Sequence, residues 1–210
     1  GFGDRFIKKL SGDVGHEEFH QYLDANYFYC ELPEPYKWDK KFCRQSKSGS
    51  PDWILLGDSH AKHYFIGFAN TIQTLNIAFY INTKGVPYAS NPNFSEIFEV
   101  LERSSPKIIF LTMHFSVRVQ RSSELYSGFS STIKKLKNMG HEIVLLGDVP
   151  RFNANSDTEN CVYTDKPAHC TLSVHDYRAQ KSIYDNTLRR LAKDFKIHYL
   201  ETDTALCSDI

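Results

Sequence analysis

A chain of 210 residues with 41% hydrophobic residues can bury one substantial core, and one main domain is expected. Its 25 Lys and Arg balance 25 Asp and Glu, and no basic tract interleaved with aromatics occurs, which argues against nucleic acid as a partner. The longest apolar runs, such as Ile108-Ile109-Phe110-Leu111, are far too short to span a bilayer.

The chain opens on Gly1-Phe2-Gly3-Asp4-Arg5, which is polar and glycine-rich and reads as a junction rather than a secretory leader. Residues 1–50 read as an irregular extension with one or two short helices, Asp13 capping Glu17-Glu18-Phe19-His20-Gln21-Tyr22-Leu23. Tyr22, Tyr27, Phe28, Tyr29, Tyr36, Trp38 and Phe42 make this stretch aromatic. Packing onto the main domain, 51–210, is the expected role, with sugar stacking as the alternative.

From Trp53 onward strands alternate with helices. Trp53 to Leu56 is an apolar run stopped by Gly57, and Ala61, Phe65, Phe68, Ala69 and Ile72 then recur at helical spacing from about Ser59. Ile77 to Ile81 is the next strand, followed by a helix over Ser95 to Ser104 and a strand from Ile108 to Met113. A helix over about Ser123 to Met139 ends at Gly140 with lysines in its last turn. A strand from Ile143 to Leu146 leads into Gly147-Asp148-Val149-Pro150 and a long loop over 151–174. One helix is expected from about His175 to Asp194, then a strand from Ile197 to Leu200. Such alternation with short links implies an α/β fold, a mostly parallel sheet of five strands covered on both faces.

The five cysteines include no Cys-x-x-Cys pair, so a metal site is not expected. Cys30 with Cys43, and Cys161 with Cys170, flank short polar loops that suit local disulfides in an oxidising compartment. Five free thiols are the alternative. Cys207 is left over, and its partner is expected beyond Ile210, in a chain truncated at its C-terminus.

Ser59 follows a buried-type strand and opens a helix. There, free backbone N–H groups and the positive end of the helix dipole favour developing negative charge, and ligands of open α/β sheets bind at that edge. Asp58 and Ser59 are also ordinary helix caps, which is the plainer reading of the same residues. The block Gly57-Asp58-Ser59-His60-Ala61 after a hydrophobic strand resembles the first motif of the SGNH (GDSL-type) esterase and acyltransferase superfamily. It is more narrowly similar to the SGNH domain attached to acyltransferase-3 membrane proteins, which O-acetylate bacterial surface polysaccharides such as lipopolysaccharide.

That resemblance implies a three-layer αβα sandwich of SGNH or flavodoxin-like type. It also implies a periplasmic location tethered to the inner membrane, a polysaccharide acceptor, and an acyl donor passed on from the membrane domain. Ser59 would be the nucleophile and its N–H one oxyanion donor, with Gly85 after the second strand as the other; a plain turn glycine is the competing reading for Gly85. Asp58 and His60 would shape the turn, with a buried, hydrogen-bonded histidine as the equal alternative for His60. Where the superfamily has an asparagine after its third strand, this chain has Thr112-Met113-His114-Phe115-Ser116, which leaves His114 as a candidate lining residue, with core or rim as the equal alternative.

A serine hydroxyl needs a base, and the base an orienting carboxylate. The family takes both from an Asp-x-x-His motif after the last strand. Asp203 and Asp209 stand there without a following histidine, so the dyad is expected downstream of Ile210 and the 210-residue chain by itself is expected to be nearly inactive. Asp13-Val14-Gly15-His16 matches the spacing but precedes the first strand, and Asp176 beside His175 reads as a first-turn acid. No metal or organic cofactor is implied. A carbohydrate esterase and a non-catalytic glycan-binding domain are the alternatives to an O-acyltransferase.

Overall fold

The computed structural model describes residues 12–39, 42–149 and 172–202. Six strands form one sheet: β1 (Cys43–Gln45), β2 (Trp53–Gly57), β3 (Ile77–Ile81), β4 (Ile108–Leu111), β5 (Glu142–Leu146) and β6 (His198–Leu200), in the order β1-β3-β2-β4-β5-β6. All neighbours are parallel except β1, which runs antiparallel to β3 with Cys43 opposite Tyr80. The five strands expected from the pattern are therefore present, and the aromatic extension adds a sixth. Three residues between polar loops carry too little periodicity to announce a strand, and β1 forms because β3 would otherwise expose an edge.

The helices among the described residues are α1 (Gly12–Asn26), α2 (Ser59–Thr71), α3 (Ser95–Glu102), the single turn α4 (Phe115–Arg118), α5 (Ser122–Asn138), α6 (Val174–Ser182) and α7 (Asp185–Phe195). Successive strand residues point to opposite faces, and two cores follow from that alternation. Ile54, Leu56, Ile109, Leu111, Ile143 and Leu145 pack with Phe98, Phe129, Ile133, Leu136, Leu188 and Leu191 of α3, α5 and α7. Leu55, Ile77, Phe79, Phe110 and Leu146 pack with Leu23 of α1 and Ala61, Phe65 and Ala69 of α2. The result is helix, sheet, helix in three layers.

The helix expected over His175 to Asp194 is broken at Ile183-Tyr184. Tyr184 leaves helical geometry with φ −127° and stacks on Phe115, ring centroids 5.0 Å apart. Asp185 then opens α7 and binds Arg189. A core aromatic and a first-turn acid outweigh the continuous periodicity.

The extension is tied down by the Cys30–Cys43 disulfide and by its aromatics. Trp38 meets Tyr80 edge-on at 5.0 Å and donates Nε1–H to Glu96, while the Tyr36 hydroxyl donates to Glu99. Tyr36 and Trp38 pack against the core, while Phe28 and Tyr29 remain about half exposed. Cys161, Cys170, Cys207, Asp203 and Asp209 lie outside the described residues, as do the side chains of Asp13 and His16.

One buried cation on α2 makes stability depend on pH. Lys62 is enclosed, its ammonium 4.9 Å over the Phe19 ring, and burial together with the nearby Arg44 guanidinium lowers its pKa to about 8. The unfolded lysine, at 10.5, holds its proton over a range where the folded one has lost it. Stability from this group therefore rises from pH 8 to 10.5 and is lowest below pH 8. Lys62→Met should raise Tm at pH 7 by about 2–4 °C, the shift that roughly 1 kcal/mol gives in a domain of this size. Calorimetry across that range should show the advantage shrinking toward pH 10.5, and a pH-independent advantage would rule out the ammonium as its source.

Candidate active site at the carboxyl end of β2

The sheet reverses direction at β2. Its crossover through α2 leads to β3 on one side, whereas β4 pairs on the other. This is the switch point at which open parallel sheets leave a crevice beyond their carboxyl ends. Ser59 stands at that point as the first residue of α2, half-buried.

Gly57 is what lets the turn close. Its position leaves no room for a side chain, since a Cβ there would fall 2.0 Å from the Thr112 carbonyl oxygen. The carboxyl ends of β2 and β4 thus meet backbone to backbone.

Asp58 follows, 1% exposed, with an extended backbone that makes it the cap of α2. Its Oδ1 accepts the His60 N–H at 3.0 Å, and both its oxygens accept the His114 N–H, at 3.2 and 3.1 Å. The Arg118 Nε lies 3.5 Å from Oδ2, and Arg118 also donates to the Thr83 carbonyl at 3.1 Å. One carboxylate therefore joins the loops after β2 and β4, and Arg118 extends the link to the loop after β3.

His60 does not face away into plain core. Its Nδ1 lies 2.6 Å from Asp148 Oδ1, both groups being buried. A carboxylate is acceptor-only, so the Nδ1 proton belongs to this bond. The other Asp148 oxygen accepts the Ser116 N–H at 3.4 Å, and the Asp148 carbonyl accepts the Thr202 hydroxyl at 2.5 Å. Tyr64 of α2 donates to the Gly147 carbonyl at 2.8 Å. The loop after β5 is thereby pinned to α2 as firmly as the loop after β4 is.

His114 arrives at the same place. Its ring stacks on His60 with centroids 3.9 Å apart and planes 20° from parallel, and His63 tilts against His60 at 5.2 Å. Gly85, by contrast, is fixed by Asn91: a Cβ on it would meet Asn91 Nδ2 at 2.4 Å, and that amide donates to Val86. Its glycine is explained by this packing. His175 is 93% exposed on its side chain, and Asp176 forms a capping pair with Ser173 at the start of α6.

Of the residues singled out in the sequence, Asp58, Ser59, His60 and His114 thus form one cluster. Asp148, Arg118 and Ser116 join it without having been expected there. Asp148 had a signal, since Leu145-Leu146-Gly147-Asp148 repeats Leu55-Leu56-Gly57-Asp58 at the end of another parallel strand. Arg118 had none, because it is one arginine in a four-residue helix. Among the described residues no group of histidine, cysteine and carboxylate side chains is arranged to hold a metal, and no helix is long and apolar enough to cross a membrane.

No protein with a curated description matches the chain. Its fold is similar to the periplasmic domain of the lipopolysaccharide acetyltransferase of Salmonella ser. Paratyphi A, with TM-score 0.57 and 20% identity over 78% of this chain and 70% of that one. The family model described as "SGNH domain (fused to AT3 domains)" matches residues 29–210. All six strands, the turn at Ser59 and the loops clamped around it lie within that match, and the chain belongs to this family of SGNH domains.

Proposed function

We propose that this domain transfers acetyl groups through a serine ester to hydroxyls of a bacterial surface polysaccharide, in the periplasm, with the donor supplied by an acyltransferase-3 membrane domain. The observation that carries the reading is the place of Ser59: first residue of α2, at the switch point of the sheet, in a turn held from three loops. Membership of a family fused to acyltransferase-3 domains supports the acyl chemistry and the membrane partner. The likeness in fold to the periplasmic domain of a lipopolysaccharide acetyltransferase supports the choice of acetyl and of lipopolysaccharide.

In this mechanism the Ser59 oxygen attacks the acetyl carbonyl, and the donor leaves with the proton returned by a base. The acceptor hydroxyl then repeats the exchange in reverse. The Ser59 backbone N–H, at the start of α2, faces the oxyanion, since the His60 N–H is taken by Asp58 and the Ala61 N–H by the Asp58 carbonyl. Asp58 positions the turn, and His60 with Asp148 fixes its second residue. The base is assigned to an Asp-x-x-His motif of the kind that the resemblance places after the last strand; Glu201 to Ile210 contain no histidine.

The test is to charge the protein encoded in full with its acetyl donor and map the ester by peptide mass. Acetyl should appear on the peptide bearing Ser59 and should be discharged by glycan hydroxyls faster than by water. Discharge by water alone would make the domain an esterase. Acetylated glycan formed with no acetyl on that peptide at any time would overturn the serine mechanism.

A further inference from the structure

A cavity of about 380 Å³ opens at the end of the sheet opposite Ser59. It is lined by Ser50 and Pro51 ahead of β2, by Ser104, Ser105 and Lys107 ahead of β4, and by Arg103 at the end of α3. These positions precede the parallel strands that Ser59 follows. The length of β2, roughly 13 Å at 3.3 Å per residue, separates the two sites. The segment Glu31-Leu32-Pro33, continuous with the Cys30–Cys43 disulfide, forms one wall, and Ile54, Tyr80 and Val100 form an apolar floor.

The chemistry of this lining is one-sided. Lys107 is 91% buried by its 9% exposure, and its ammonium donates one hydrogen bond, to Ser50 Oγ at 2.9 Å. An ammonium has three donors, so two remain. The Arg103 guanidinium rests 5.3 Å over the Tyr36 ring and forms no ion pair with a described residue. The Tyr80 phenol lines the same space, makes no hydrogen bond to a described residue, and is kept neutral by burial, which raises its pKa. Glu31 is the opposing charge, and its Oε1 is already engaged by the Gly49 N–H at 3.0 Å. Two cations against one carboxylate leave a net positive cavity with unspent donors. The Lys107 stem is buried while its ammonium reaches the cavity, so an anion entering there can complete the ammonium's shell.

We propose that this cavity binds a small anion, the carboxylate or phosphate group of a sugar or metabolite, with Lys107 and Arg103 as its charged contacts and Tyr80 as a neutral donor. The apolar floor suits a compact organic body attached to that group, and the volume falls in the usual range for small-molecule sites. An acidic residue of a glycan would be held here by charge, at the opposite end of the sheet from Ser59. A free oxyanion would use the same donors.

Titration calorimetry on the 210-residue chain tests this at constant ionic strength, with inorganic phosphate, galacturonate, galactose 1-phosphate and neutral galactose as probes. At least one anionic probe should saturate, and galactose should not. Preference for galacturonate or the sugar phosphate over phosphate assigns the site to a sugar residue, and the reverse assigns it to a free oxyanion. Lys107→Met and Arg103→Gln should each weaken the anion at least about tenfold, as loss of a charge-assisted hydrogen bond does. Arg103 is exposed, so its variant keeps the test open if the buried lysine proves necessary for folding. Equal binding of galactose, no anion saturating at millimolar concentration, or unchanged affinity in the folded Arg103 variant would each overturn the proposal. Acetyl transfer at Ser59 is read separately, so failure here leaves that reading untouched.

Discussion

Ser59→Ala should lower acetyl transfer by the protein encoded in full at least about 10³-fold, the scale on which serine enzymes lose turnover with their nucleophile. Tm should stay within about 1 °C, because Asp58 rather than Ser59 supplies the side-chain cap of α2. Acetyl content of the cell-surface glycan and the thermal melt of the purified domain check the two halves together. A large loss of activity with an unchanged melt assigns the loss to the hydroxyl. Retained transfer would remove Ser59 from the reaction and leave it a residue of the helix start. Ser59→Cys is the informative companion, since a thiol keeps a nucleophile at the same place with altered geometry and acidity.

Much of this arrangement is legible in the sequence, and the parts that are not share a cause. β3 at Ile77–Ile81 and α2 from Ser59 were legible because each is a local pattern: an apolar run, or an apolar stripe with a cap. The Cys30–Cys43 bridge was legible from the short loop between the two residues, 13 apart in sequence. β1 was not legible, because its pairing depends on β3, more than 30 residues later, and three residues carry no periodicity of their own. The same holds for the site. Ser59 and Asp58 announce themselves in one motif, whereas the pairing of His60 with Asp148 spans 88 residues and is set by the parallel register of β2, β4 and β5. His60 is a buried, hydrogen-bonded histidine, and no local feature names its partner. Arg118 reaches Asp58 only because a single helical turn follows His114, and nothing in Phe115-Ser116-Val117-Arg118 distinguishes that turn from a loop.

Asp58→Ala should destabilise the domain by about 3–5 kcal/mol, the loss that follows when one member of a buried charged network is removed. For a chain of this size that corresponds to a fall in Tm of roughly 6–20 °C. The magnitude follows from what is orphaned. The His60 and His114 N–H groups lose their acceptor inside a site that is 1% exposed at Asp58, and Arg118 loses its carboxylate. Part of the Arg118 share is screened, since that side chain is 36% exposed, so the two backbone groups should dominate. Asp58→Asn separates the contributions. An amide oxygen can still accept from the helix start, but its NH₂ must turn toward a second donor, so a smaller loss of stability is expected. Transfer should fall in both variants in the order of their stabilities, because the carboxylate acts on the turn and through it on Ser59. Thermal melts and acetyl transfer measured on the two proteins decide the point. If Asp58→Asn melts like the parent and yet loses transfer completely, the carboxylate acts on the reacting groups themselves, and the clamp is the wrong account of it.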